Sequence, residues 1–106
     1  PRGTVVVPVH VSSAVEQIAR RHDAKIIRTK ANPTALMEEC RRTPNVVLGG
    51  SGETGFIFPQ LHPGFDGMFC IAKLIEMLTI QERSLAAIRT ELPRVYHKSY
   101  TVRCPW

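Results

Sequence analysis

Between two apolar runs, Val46-Val47-Leu48 and Phe56-Ile57-Phe58, the chain places four of its seven glycines, at positions 49, 50, 52 and 55, around Ser51, Glu53 and Thr54. Two strand-like runs joined by so short a loop can pair only antiparallel, because a parallel return needs a crossover of roughly a dozen residues or more. A hairpin is therefore fixed at the middle of the fold. The string Gly50-x-Gly52-x-x-Gly55 also matches the dinucleotide-binding fingerprint, which has meaning only where a strand turns into a helix. The residues after Gly55 are instead aromatic and β-branched and are closed by Pro59, the pattern of a strand. Context thus argues against a pyrophosphate site. The glycines read as a tight turn that lets backbone approach a ligand and sets Ser51, Glu53 and Thr54 on its rim.

Upstream of the hairpin, strand and helix patterns alternate. Residues 4–9 are a continuous apolar run, as in a strand buried on both faces. Ser13-Ala14-Val15-Glu16 has the form of a capping box, and Ala14, Val15, Ile18 and Ala19 then give one apolar helical face up to Arg21. Lys25-Ile26-Ile27-Arg28-Thr29 reads as a second strand. Asn32 followed by Pro33 opens a second helix, with Leu36, Met37 and Cys40 on its apolar side and Thr43-Pro44 at its end. Three strands separated by helices are most simply parallel, through right-handed crossovers.

Downstream, residues 59–64 contain two prolines and read as a loop. From Asp66, a cap, a helix runs to about Ile80, with Met68, Phe69, Ile71, Ala72, Leu74, Ile75, Met77 and Leu78 covering nearly its whole circumference. Such a helix is either a central core element or is covered by another domain or partner. A shorter helix over residues 84–91 ends before Pro93, and residues 94–102 alternate like a linker or an edge strand. The expected architecture is α/β: a three-layer α/β/α domain over residues 1–93, on a four-stranded mixed sheet of three parallel strands plus one antiparallel. Residues 94–106 are expected to be an extended linker toward a further C-terminal domain.

At 106 residues the chain is one domain. Its first strand begins almost at Pro1, and Trp106 directly follows an extended stretch, which predicts a domain taken from a longer protein. No apolar run approaches the roughly 20 residues that cross a bilayer, so no membrane partner is expected. Cys40, Cys70 and Cys104 are odd in number and widely spaced, which points to neither a disulfide framework nor a zinc site and fits a reducing cytoplasm. Fourteen Lys plus Arg against nine Asp plus Glu give a formal charge of +5, but the basic residues are scattered without interleaved aromatics. That is a solvated surface rather than a nucleic-acid interface. Lys30 follows the second strand and His10 the first, where polar groups at a sheet's carboxyl edge reach ligands. His22, His62 and His97 have no partner at ligand or triad spacing.

Taken together, Val46-Val47-Leu48-Gly49-Gly50, a polar loop, Gly55-Phe56-Ile57-Phe58-Pro59, Asp66-Gly67 opening a hydrophobic helix and Glu91-Leu92-Pro93 closing a shorter one resemble the third domain of the α-D-phosphohexomutases, the phosphomannomutases and phosphoglucomutases. The upstream order of strand, Ser12-Ser13 helix and Arg28-Thr29 agrees, and the resemblance covers essentially the whole chain. It implies one of four domains around a cleft, in enzymes that move a phosphoryl group between the 1- and 6-positions of a hexose through a phosphoserine in the first domain. Magnesium is then held by the second domain and the substrate phosphate by the fourth. The implied partners are a hexose phosphate and the other domains of the same chain. No cofactor is implied in this stretch, although magnesium is expected in the full-length active enzyme. Because the chain has neither a phosphorylatable Thr-Ala-Ser-His type loop nor an aspartate cluster, it is not expected to catalyse alone.

In that family the loop recognises sugar hydroxyls, typically through a glutamate directly after the double glycine and a serine or asparagine two residues later. Here those positions are Ser51 and Glu53, and Gly55 stands where many members have histidine. A carboxylate accepts hydrogen bonds from two adjacent hydroxyls, whereas a serine hydroxyl is short and offers one donor. The departures imply either an altered choice of sugar or a mutase-like domain without mutase chemistry. The candidate substrate-binding residues are Ser51, Glu53, Thr54 and Lys30, with no catalytic or metal-binding residue in the chain. The closing residues 102–106, Val-Arg-Cys-Pro-Trp, look like mutase-like regions fused to sugar-phosphate nucleotidyltransferases such as mannose-1-phosphate guanylyltransferase. A non-catalytic or regulatory module of such a fusion is the alternative reading.

Overall fold

A computed structural model describes residues 2–105, as β1 (Gly3–Pro8), α1 (Ala14–Arg21), β2 (Ala24–Thr29), α2 (Pro33–Arg42), β3 (Val46–Ser51), β4 (Gly55–Phe58), β5 (His62–Phe65), α3 (Gly67–Gln81) and α4 (Leu85–Glu91). The strands form one mixed sheet in the order β2-β1-β3-β4-β5. β1 is parallel to both β2 and β3, while β4 is antiparallel to both β3 and β5. Returning from β2 past β1 to β3 reverses the winding, so right-handed crossovers put α1 and α2 on opposite faces of the sheet.

The sheet has five strands rather than the four expected. His62-Pro63-Gly64-Phe65 has the composition of a loop, since Pro63 lacks an N–H and Gly64 weakens a strand. What makes it β5 is non-local: Ile57 pairs with Phe65 and Phe58 with His62 across an irregular register, and the Asp66 N–H donates to the Phe56 carbonyl at 3.0 Å. Lying outermost, β5 is placed where a proline need not interrupt a ladder. Residues 93–105 contain no strand, so 94–102 do not form the edge strand that their alternation allowed. Trp106, the last residue of the 102–106 ending, lies outside the described residues, as does Pro1.

The best-packed part of the core lies under α2, where Val6, Leu36, Cys40, Val46 and Ile57 are buried together against Ile27, Met37 and Phe65. Helix α2 begins as its sequence predicts, with the Asn32 side chain accepting from the Ala35 N–H at 2.7 Å and Pro33 in the first turn. It can approach the sheet closely because β3 carries Gly49 beneath it. A Cβ at Gly49 would sit 2.2 Å from the Cys40 Sγ, so the thiol fills the space a side chain there would need. Burial pushes the Cys40 thiol up to about 11, which keeps it neutral and lets it pack as a small apolar group.

The other face is less complete. Phe69 of α3 meets Phe58 of β4 edge-on with centroids 5.0 Å apart, yet no residue of α3 is buried. Met68 and Ile80 are 85% and 75% exposed. Helix α3 is therefore not a central core element of the described chain, and its apolar circumference mostly faces solvent.

Two outcomes follow from the α2 contacts. Gly49→Ala should lower stability by about 1–3 kcal/mol through overpacking, and Cys40→Ala in the same chain should recover most of that loss in urea melts. At the end of α2, the Thr43 hydroxyl donates to Glu39 at 2.6 Å, and together with Arg42 it holds the Glu39 carboxyl below the usual carboxylate range. A folded value below the unfolded one stabilises at pH above about 4.3 and is lost as pH falls through the folded value. The stability difference between wild type and Glu39→Gln should accordingly shrink in acid, as urea midpoints from pH 7 to 3 will test.

Candidate functional site

Because β2, β1 and β3 run parallel, their carboxyl ends lie side by side. The residues that follow them are Lys30, Val9-His10 and the loop of residues 52–54. Ligands of open α/β sheets bind at this edge, where loops from neighbouring strands diverge.

The hairpin loop is short and internally bonded. Ser51 pairs with Gly55 across β3 and β4, leaving Gly52, Glu53 and Thr54 as the connection. Gly50 has φ +142°, and a Cβ on it would lie 2.2 Å from the Gly55 carbonyl oxygen, so only glycine permits this approach. Ser51 does not stand on the rim, as its position in the sequence suggested. It is buried, its Oγ accepts from the Thr54 N–H at 3.2 Å, and the two hydroxyls lie 2.9 Å apart. Both polar side chains are engaged in closing the turn, a local bond that Ser and Thr compete for readily. Glu53 takes no part in closing the turn and stands at its tip, its side chain 78% exposed, and a Cβ on the adjacent Gly52 would meet nothing within 4 Å.

Across from Glu53 stands His10, whose Nε2 lies 3.4 Å from a Glu53 carboxylate oxygen. His10 belongs to a turn in which the Val11 N–H donates to the Pro8 carbonyl at 3.1 Å, and the Val9 N–H donates to Thr29 of β2 at 2.9 Å. Arg28 reaches this turn from β2. Its Nη1 donates to the carbonyls of Pro8, Val9 and Val11 at 3.2, 3.1 and 2.8 Å, while Nε and Nη2 donate to the Glu16 carboxylate at 2.8 and 2.9 Å.

The same fork explains why the predicted capping box is not formed. Ser13 is helical, with φ −65° and ψ −6°, and makes no side-chain cap. Ser12 Oγ accepts from the Ala14 N–H instead, at 3.2 Å. A capping box needs Glu16 to reach back to the serine backbone, and Arg28 holds that carboxylate elsewhere.

Lys30 is exposed and lines a shallow concavity with Thr29, Ala35, Glu38, Glu39 and Arg42, toward α2. Among the described residues no hydrogen bond or ion pair joins it to Ser51, Glu53 or Thr54. Asp66 caps α3, its Oδ1 accepting from the Phe69 N–H at 2.9 Å. No group of three or more His, Cys, Asp or Glu side chains that could hold a metal ion occurs among the described residues. The donor set present among the described residues does not fit magnesium. Nor, among the described residues, is any helix long and apolar enough to cross a membrane.

The structure thus joins His10 to Glu53 and Ser51 to Thr54, and leaves Lys30 apart. The role of Arg28 is invisible in a scatter of basic residues, because its partners lie 12 to 20 positions away. An exposed carboxylate beside an imidazole can accept from adjacent hydroxyls while the ring donates or accepts one bond, which is the equipment for holding a polyol.

Residues 1–96 match the family described as phosphoglucomutase/phosphomannomutase, alpha/beta/alpha domain III. The chain is 32% identical over 103 residues to a probable phosphoglucosamine mutase of Methanosarcina barkeri, covering 97% of this chain and 23% of that protein. It is 32% identical over 98 residues to a phosphoglucomutase/phosphomannomutase of Thermococcus kodakarensis, covering 89% of this chain and 20% of the relative. A probable phosphoglucosamine mutase of Methanosarcina acetivorans is 34% identical over 92 residues, covering 87% and 20%. The chain therefore spans about a fifth of the length of the curated relatives it matches. No solved structure matches significantly.

Removing the buried hydroxyl at the base of the loop should loosen the turn. Ser51→Ala is expected to cost about 1–2 kcal/mol, within the range for a buried hydrogen-bonding group. Amide hydrogen exchange will check it: the Thr54 N–H, left without its acceptor, should exchange faster than in the wild type.

Proposed function

Because the chain belongs to the phosphoglucomutase/phosphomannomutase family, as its alpha/beta/alpha domain III, we propose that it is the sugar-recognising domain of a phosphohexomutase. The observation that carries this reading is the exposed Glu53 carboxylate facing His10 at the carboxyl edge of the sheet. In the proposed complex Glu53 accepts hydrogen bonds from two neighbouring hydroxyls of a hexose phosphate, and the His10 ring takes part in a third. Lys30 adds positive charge along the same edge for an anionic substrate. Ser51 and Thr54 serve the sugar indirectly, by fixing the turn that carries Glu53.

Phosphoryl transfer between the 1- and 6-positions is, in this reading, the work of a longer protein in which this domain forms one wall of the cleft. The names of the relatives include both phosphoglucosamine mutase and phosphoglucomutase/phosphomannomutase, so hexosamine and hexose phosphates are both substrates to try. A cytoplasmic setting suits the three free thiols of Cys40, Cys70 and Cys104. A second reading, a non-catalytic or regulatory mutase-like module of a nucleotidyltransferase fusion that has lost its sugar site, draws support from Ser51. The hydroxyl at the position of the family's usual glutamate is turned into the loop and has little left to offer a ligand.

Titrating the chain with glucosamine 6-phosphate, mannose 1-phosphate and glucose 1-phosphate, with inorganic phosphate as control, separates the two by heteronuclear NMR. Sugar recognition predicts shifts at His10 and residues 52–54 that phosphate alone does not cause. Glu53→Ala should weaken the affinity about tenfold, the equivalent of one good hydrogen-bonding group. Shifts absent with every sugar phosphate would sink the first reading and leave the second.

A further inference from the structure

We propose that Arg28 is the positioning residue of this edge, clamping the turn of residues 8–11 so that His10 faces Glu53. A guanidinium carries five N–H donors in a rigid plane. Glu16 occupies the Nε and one Nη2 donor, which fixes the plane, and Nη1 is then aimed at the turn. Its two hydrogens serve three carbonyls, those of Pro8, Val9 and Val11. Of the four carbonyls of that turn, only that of His10 receives no hydrogen bond from Arg28. The acceptors converge on one nitrogen, so the shape of the turn and the place of the cation specify each other.

Apolar burial anchors the turn only at its start, where Pro8 is fully buried, since Val9 is 58% exposed. Beyond Pro8 the other ties are the backbone bonds from Val9 to Thr29 and from Val11 to Pro8. Arg28 and Glu16 are each about a third exposed, at 28% and 31%, shielded enough to resist salt yet beside the open edge. The clamp links three elements at once, since Arg28 lies on β2, Glu16 on α1 and the turn between β1 and α1. A lysine could not replace it, because an ammonium has three donors on a flexible stem and no planar fork. Arg28 touches no ligand in this account. It acts through His10, and only that last consequence rests on the sugar-site reading.

Arg28→Lys tests the clamp in the intact chain, with circular dichroism to confirm folding and three further readouts. The nuclear Overhauser contact between the His10 ring and the Glu53 side chain should disappear. Exchange of the Val11 amide should accelerate about tenfold or more, as expected from losing charge-assisted bonds that shape its turn. Affinity for the hexose phosphate that binds the wild type should fall several-fold in the wild-type background and scarcely change when His10 is already alanine. Should Arg28→Lys unfold the chain, Glu16→Gln, which keeps the side chain's size and removes the charge, is read in the same way. A variant that is merely less stable, with the His10–Glu53 contact and Val11 exchange unchanged, overturns the proposal. If the wild type binds no sugar phosphate but the variant still loses the His10–Glu53 contact, the clamp stands and the sugar-site reading falls alone.

Discussion

Strand β3 joins two unlike halves of the sheet, and its glycines are what let it do so. Toward β1 it continues the parallel half, and toward β4 it starts the antiparallel half. At Gly49 the missing side chain admits the Cys40 thiol and with it the whole of α2. At Gly50 it admits the carbonyl of Gly55, which closes the hairpin. The core under α2 and the loop at the edge thus depend on neighbouring positions of one strand, so packing and site are set by the same close approach.

From that strand the functional edge is assembled out of two turns that share no covalent neighbourhood. One is closed by Ser51 and Thr54 and offers Glu53. The other is held by Arg28 and offers His10. In each the polar groups that look suited to a ligand are partly employed in holding the backbone, and the side chain left exposed is the one that can meet something new. The division is economical in physical terms, since a loop that must present a carboxylate at a fixed place has to satisfy its own N–H and C=O groups first.

What could be read in the sequence was whatever a few adjacent residues decide. The hairpin followed from the length of its loop, and the start of α2 from Asn32 beside Pro33, whose cap is made by a residue three positions on. Features that depend on distant partners escaped. His62–Phe65 becomes a strand through β4, against its own composition. The Ser13–Glu16 capping box was a sound local pattern that Arg28, 12 residues beyond Glu16, draws apart. Ser51 looked like a rim residue because alternation along β3 does not say that Thr54 will fold back onto it. The family resemblance supplied what local patterns lacked, the identity of the domain, though the side chains of the loop had to be placed by geometry.

The outer strand β5 has one more implication, for how this molecule can meet others. An uncovered sheet edge is an invitation for strands of neighbouring molecules to add on. Here the edge strand is only four residues long, irregular in register, and carries Pro63, which has no N–H to offer an incoming chain. Growth by strand addition is blunted at that end of the sheet. Contacts across this side of the molecule must instead be made by side chains, and the exposed apolar surface of α3 is the surface with most to gain from them.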